Sequence, residues 1–179
     1  MQKLIHAALL IDRVNDQVAS VAKWSIAAAC AISAANAFVR YGFNFSSNAF
    51  LEIQWYLFAA CVMFGTAQVL RVNEHVRVDI LYNLYPARGK VWVDIMGLSL
   101  FLMPMCLLII WLTIPLVVSQ FVSGETSSNA GGLIRWPVTA TVPLGLSLLA
   151  LQGVSEIIKR VAWLMHRYEM DMHYERPLQ

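Results

Sequence analysis

VWVDIMGLSLFLMPMCLLIIWLTIPLVVSQFV, residues 91–122, carries a single charged side chain, Asp94, near its start. A helix rises about 1.5 Å per residue and a hydrocarbon core is about 30 Å thick, so about 20 apolar residues suffice to cross it. This stretch exceeds that length and must tilt, bend or project into water. Pro104 and Pro115 stand eleven residues apart, on nearly the same helix face. Each removes a backbone hydrogen bond, which predicts a bent helix.

Outward from it lie three further apolar segments, and the four spans are predicted at 21–43, 50–71, 88–122 and 137–160. No charged side chain lies near the middle of any of them. With 59% hydrophobic and 13% charged residues, a chain of 179 residues has no room left for a soluble domain with its own core. The fold class is an all-α integral membrane protein: four transmembrane helices with short interfacial helices. Proton relays and ion sites in membranes usually need buried acidic or basic groups, so the spans read as a scaffold.

Where the charges fall is more informative than their net value of +2. Of thirteen Lys and Arg residues, all but Arg40 and Arg135 fall on one side if the spans alternate, which leaves eleven. The positive-inside rule then places both termini and the middle connection in the cytoplasm. Residues 1–20 are not expected to be a cleaved leader, because a long segment containing Asp12 and Asp16 precedes the apolar core. Leu4, Ala8, Ile11, Val14 and Val18 recur at helical spacing among polar neighbours. That pattern predicts an amphipathic helix lying on the inner membrane surface, with a frayed polar leader as the alternative.

Several chemistries find no residues to carry them. Cys30, Cys61 and Cys106 fall inside spans, where they act as small apolar residues, and no disulfide or metal spacing joins them. His6, His75, His166 and His173 all lie outside the spans, which removes the axial ligands that a membrane-depth haem requires. No CxxC, HExxH, GxSxG or glycine-rich phosphate loop occurs. The chain is read as no enzyme, with no cofactor of its own. From Ser25 to Ala37, ten of thirteen residues are Ala, Ser or Cys, a surface suited to close helix packing.

The remaining polar residues gather at span ends. Arg40 and Glu52 end the first span and begin the second, and they are expected to pair across the short connection; the alternative is that both snorkel to water. Glu156 has Lys159 and Arg160 three and four residues on, so pairs along one helix satisfy it. In the connection 72–87, Val76, Ile80 and Leu84 recur every four residues among Glu74, His75, Arg77 and Asp79. This reads as a short interfacial helix, with Pro86 placed to start the next one. The acidic and histidine side chains read as a solvated, mutually paired surface in preference to a metal site. The outer loop 123–136 holds Glu125, Ser127, Asn129, Gly131, Gly132 and Arg135, and residues 161–179 form a polar tail.

Read together, Glu52-Ile-Gln54-Trp55-Tyr-Leu-Phe, Gly65, Glu74-His75-Val-Arg77-Val-Asp79, Leu84-Tyr-Pro86, Gly124-Glu125, Gly131-Gly132-Leu-Ile-Arg-Trp136-Pro137 and Pro143-Leu-Gly145 resemble the small DctQ-type membrane subunit of tripartite ATP-independent periplasmic (TRAP) transporters. The resemblance runs from about residue 10 to 165, and Tyr85 departs from a shorter Leu-Pro junction. It implies a bacterial inner-membrane subunit paired with a large membrane subunit that carries the sodium and organic-anion sites and moves as an elevator. A periplasmic substrate-binding protein delivers the substrate. By the same resemblance, Trp55, Glu74, His75, Arg77 and Asp79 are candidate contacts with the large subunit or the interface, and the loop residues named above are candidates for docking the binding protein. Sodium is expected on the large subunit, phospholipid at the subunit interface, and nucleic acid nowhere. Two rival classes are a membrane anchor for a redox complex and a four-helix proton or drug antiporter. The second would need an acidic group within the bilayer, and Glu52 lies at an edge.

Overall fold

The computed structural model describes residues 1–45, 47–72 and 85–169. In order they form α1 (Gln2–Phe43), α2 (Asn48–Arg71), α3 (Ala87–Met96), a π-helical segment (Gly97–Leu102), α4 (Met103–Ser123) and α5 (Trp136–Leu164). Four helices are long and apolar enough to cross a membrane among these residues: α1, α2, the run Ala87–Ser123, and α5. The helix ends follow from local chemistry. Ser47 caps α2 by accepting from the Ala49 N–H at 3.3 Å, and Asn44 and Gly124 close α1 and α4 in the left-handed region at φ 53° and 64°.

The last span is the hub. α5 packs against α1, α2 and α4, and 44% of its apolar window is buried inside the molecule, against 6% in the third span. Its neighbours approach closely where α5 is small. A Cβ on Gly145 would lie 2.6 Å from the Met63 carbonyl oxygen of α2, and one on Gly153 would lie 3.0 Å from Leu102 Cδ2. Leu146, Leu149 and Ala150 of α5 meet Leu70, Leu98 and Cys106 in the apolar core. The outward faces of the third span stay apolar, as with Phe101, Trp111 and Val122, which suits a helix that crosses hydrocarbon.

One expectation changes. The N-terminal segment is no separate surface helix: α1 runs unbroken through it for 42 residues, about 63 Å, roughly twice the hydrocarbon thickness. Its buried residues are Ala8, Asp12, Asn15, Ala19 and Ala22, while Leu4 and Val14 point outward. The face turned inward is small and polar, because small residues let helices approach and polar ones find partners across the seam. The third span departs from regular α geometry where proline predicted it. Pro104 has no N–H for the carbonyl four residues back, and just before it the backbone widens to bonds spanning five residues, the Met103 N–H donating to Leu98 O.

Candidate functional site

At the outer end, Glu52 lies one turn into α2 and is almost fully buried. Its two carboxylate oxygens divide between two donors from the 124–135 loop: Asn129 Nδ2 donates to Oε1 at 2.8 Å and the Leu133 N–H to Oε2 at 2.7 Å. Tyr56, one turn on, donates to Ile134 O at 3.1 Å, and Asn48 Nδ2 donates to Ala130 O at 3.2 Å. One face of α2 therefore clasps the loop. The expected pair with Arg40 does not form; Arg40 is exposed, and the loop supplies donors that come closer to a buried carboxylate than a snorkelling guanidinium on α1.

The loop also orders itself. Thr126 and Ile134 form an isolated antiparallel bridge, Ser127 N–H donates to Leu133 O at 2.9 Å, and the Arg135 N–H donates to Glu125 O at 3.0 Å. Gly131 takes φ 72°, and a Cβ on Gly132 would lie 2.6 Å from Ser127 Cβ, so the reversal needs both glycines. Phe121 and Trp136 meet edge to face, with ring centroids 5.3 Å apart, across the loop's base. Glu125 and Arg135 pair at 2.9 Å with side chains about half exposed, so this couple faces outward. Replacing Glu52 with alanine should loosen the loop. Limited proteolysis within 124–135 should become several-fold faster with helical content unchanged, and an unaltered cleavage rate would remove Glu52 from this role.

At the other end, Asp12 of α1 reaches α5. Its Oδ1 accepts from Gln152 Nε2 at 2.8 Å and lies 2.8 Å from the Ser155 hydroxyl, and its Oδ2 accepts from Lys159 Nζ at 3.0 Å. Asn15 Nδ2 donates to Gln152 Oε1 at 2.7 Å. Glu156 pairs with Lys159 and Arg160, as its spacing predicts, and Arg160 Nε reaches Asp94 Oδ2 of α3 at 3.1 Å. All of these except Asp94 are nearly fully buried. At the margin Arg71 of α2 pairs with Asp16 of α1 at 2.7 Å. Charges so committed to each other hold helices together; they do not offer an open site. Among the described residues no group of His, Cys, Asp and Glu is arranged to hold a metal.

Of the other candidate residues, Trp55 is 64% exposed on α2, and Ser127, Asn129, Gly131 and Gly132 all belong to the ordered loop. Glu74, His75, Arg77 and Asp79, with the interfacial helix read around them, lie outside the described residues. The inner network escaped the sequence reading, although a signal existed. Ala8-Asp12-Asn15-Ala19-Ala22 and Gly145-Leu149-Gln152-Glu156-Lys159 both step by alternating four and three, the spacing of a helix–helix seam.

Comparison with known proteins follows the same line. Residues 29–162 match the family described as "Tripartite ATP-independent periplasmic transporters, DctQ component". No curated protein and no solved structure matched the chain. The family match covers 134 of 179 residues, from the last third of α1 to the last turn of α5, and takes in the Glu52 clasp, the outer loop and the Gly145 crossing. The chain belongs to the DctQ family: it is a small membrane subunit of a TRAP transporter.

Proposed function

We propose that this chain is the non-catalytic small permease subunit of a sodium-coupled transporter of organic acid anions in the bacterial inner membrane, with both termini cytoplasmic. Membership of the DctQ family carries the reading. The buried charges support a static role, because Asp12, Glu156, Lys159 and Arg160 satisfy one another near one end of the bundle. Secondary transporters place coupling sites near the midplane on broken helices. Sodium and substrate sites then belong to the large partner subunit, whose fixed scaffold this bundle widens. The basic distribution, eleven of thirteen Lys and Arg toward one side, supports the orientation.

The outer loop is the docking element for the periplasmic binding protein. A loop braced by Glu52 and Tyr56 presents Glu125 and Arg135 in a fixed position, and exposed charges of this kind steer encounter more than they stabilise a fold. Isolation of the chain with the product encoded beside it should recover a large multi-span partner. In that complex, Glu125→Lys or Arg135→Glu should reduce uptake several-fold, more so at low salt, at unchanged complex abundance. The double exchange should fail to restore uptake. Full rescue by the double exchange, or loss of the complex itself, would assign the pair to folding and not to docking.

A further inference from the structure

The third span is open to its surroundings where its backbone is irregular. Inward, Leu98 joins the apolar core and Leu102 lies against Gly153 of α5. Outward, Met96, Ser99, Leu100, Phe101, Pro104 and Met105 are all exposed, and nothing stands within 4 Å of a Cβ built on Gly97. The backbone here has a defect of a definite kind. The Ser99 carbonyl would ordinarily accept from Met103 four residues on, or from residue 104 in the wider π turn. Met103 gives its N–H to Leu98 O, and residue 104 is proline, which has none. Leu100 O likewise loses the donor four residues on. The Ser99 hydroxyl is spent within its own helix, donating to Ile95 O at 2.7 Å. This acceptor lies inside the apolar run: Asp94, the last charged side chain before Glu125, is five residues, about 7.5 Å, nearer the basic end, where Trp92 stands exposed.

We infer that this opened turn seats a transmembrane helix of the large membrane subunit, which brings a side-chain donor (a hydroxyl, carboxamide or indole N–H) to Ser99 O. The identity of the partner rests on the transporter reading proposed above; the place follows from the backbone. Hydrocarbon chains carry no hydrogen-bond donor, and an unpaired carbonyl among them is costly, so lipid leaves the defect uncovered. A second copy of this chain leaves it uncovered too. About a twofold axis the same face meets itself, which sets Ser99 O against an identical acceptor, with the neighbouring hydroxyl already committed to Ile95 O. A helix of different sequence can carry the donor, and helices in lipid associate through such bonds and through close approach at small residues. Gly97 permits that approach. Further along the span, exposed Leu108, Leu112 and Leu116 present only hydrocarbon and fit lipid equally well.

A benzophenone-bearing residue in place of Leu100, illuminated in membranes that hold the whole complex, should join this chain to the large subunit. Products with lipid alone, or with a second copy of this chain alone, overturn the seat. Pro104→Ala supplies the missing N–H within reach of Ser99 O through the existing π turn. In detergent micelles, the concentration of chain that half-saturates a tagged large subunit should then rise roughly three- to tenfold, as for one lost hydrogen bond, while the isolated chain unfolds at the same temperature or higher. Leu100→Trp, at a side chain 65% exposed, should raise it roughly tenfold by crowding the seat. Unchanged half-saturation in Pro104→Ala overturns the inference. If the unaltered chain does not bind the large subunit at all, the transporter reading fails; if it binds and neither variant weakens it, only this seat fails.

Discussion

Lys159→Met should cost about 3–5 kcal/mol of stability, because it strands two buried carboxylates. The Lys159 ammonium stands between Asp12 and Glu156, and all three side chains are less than a tenth exposed. With the ammonium gone, the two buried carboxylates lose the cation between them, and Arg160 already serves both Glu156 and Asp94. Glu156→Gln is expected to be much milder. It keeps the shape and most hydrogen bonds, and it leaves Asp12 with Lys159 and Asp94 with Arg160. Thermal unfolding of the purified chain, followed by tryptophan fluorescence, should place Lys159→Met roughly 10 °C or more below the unaltered protein. Should Glu156→Gln prove the more damaging of the two, the network is not held together by charge balance in this way.

The second large effect is steric. A Cβ at position 145 would stand 2.6 Å from Met63 O and 2.8 Å from Met63 C, both backbone atoms that cannot rotate aside. Gly145→Ala must push α2 from α5 and should cost about 1–3 kcal/mol, as overpacking does elsewhere. Gly145→Leu should prevent the bundle from closing, and with it the seating of the outer loop, since α2 carries Glu52 and Tyr56. Gly65 is the control. Nothing lies within 4 Å of a Cβ there, and Gly65→Ala should be neutral or stabilising by about 0.5–1 kcal/mol through helix propensity. Equal recovery of folded Gly145→Leu and Gly65→Ala would show that this crossing does not depend on the glycine.

Much of the fold was legible because lipid imposes a simple rule. A stretch such as 91–122 has to be a helix, since no other open structure satisfies its backbone in hydrocarbon. The π-helical departure just before Pro104 followed from the missing N–H, and the loop at 124–135 from its glycines and Pro137. What failed was the transfer of a rule made for water. In a soluble helix the apolar face turns inward; along α1 the face carrying Leu4 and Val14 turns outward, and Asp12 and Asn15 are buried. Hydropathy cannot see that inversion, because it weighs residues one at a time and the partners of Asp12 lie 140 and 147 positions away. Glu52 was misassigned for a related reason. Proximity along the chain suggested Arg40, whereas Asn129 and Leu133 return from 77 and 81 residues on. The docking loop was readable as a loop; its brace on α2 was not.

The long separation between Asp12 and Lys159 also sets an order of events during synthesis. At about 5–20 residues per second, the 147 residues between them take roughly 7–30 s to make, and for that time the polar seam of α1 has no partner. Asp12 and Asn15 are costly to bury alone, so the first turns of the nascent chain have to stay in contact with water while the second and third spans are inserted. Only when α5 enters can the 42-residue helix close as one rod. A chain truncated before residue 152 would carry its first three spans and still lack the surface that completes the first of them.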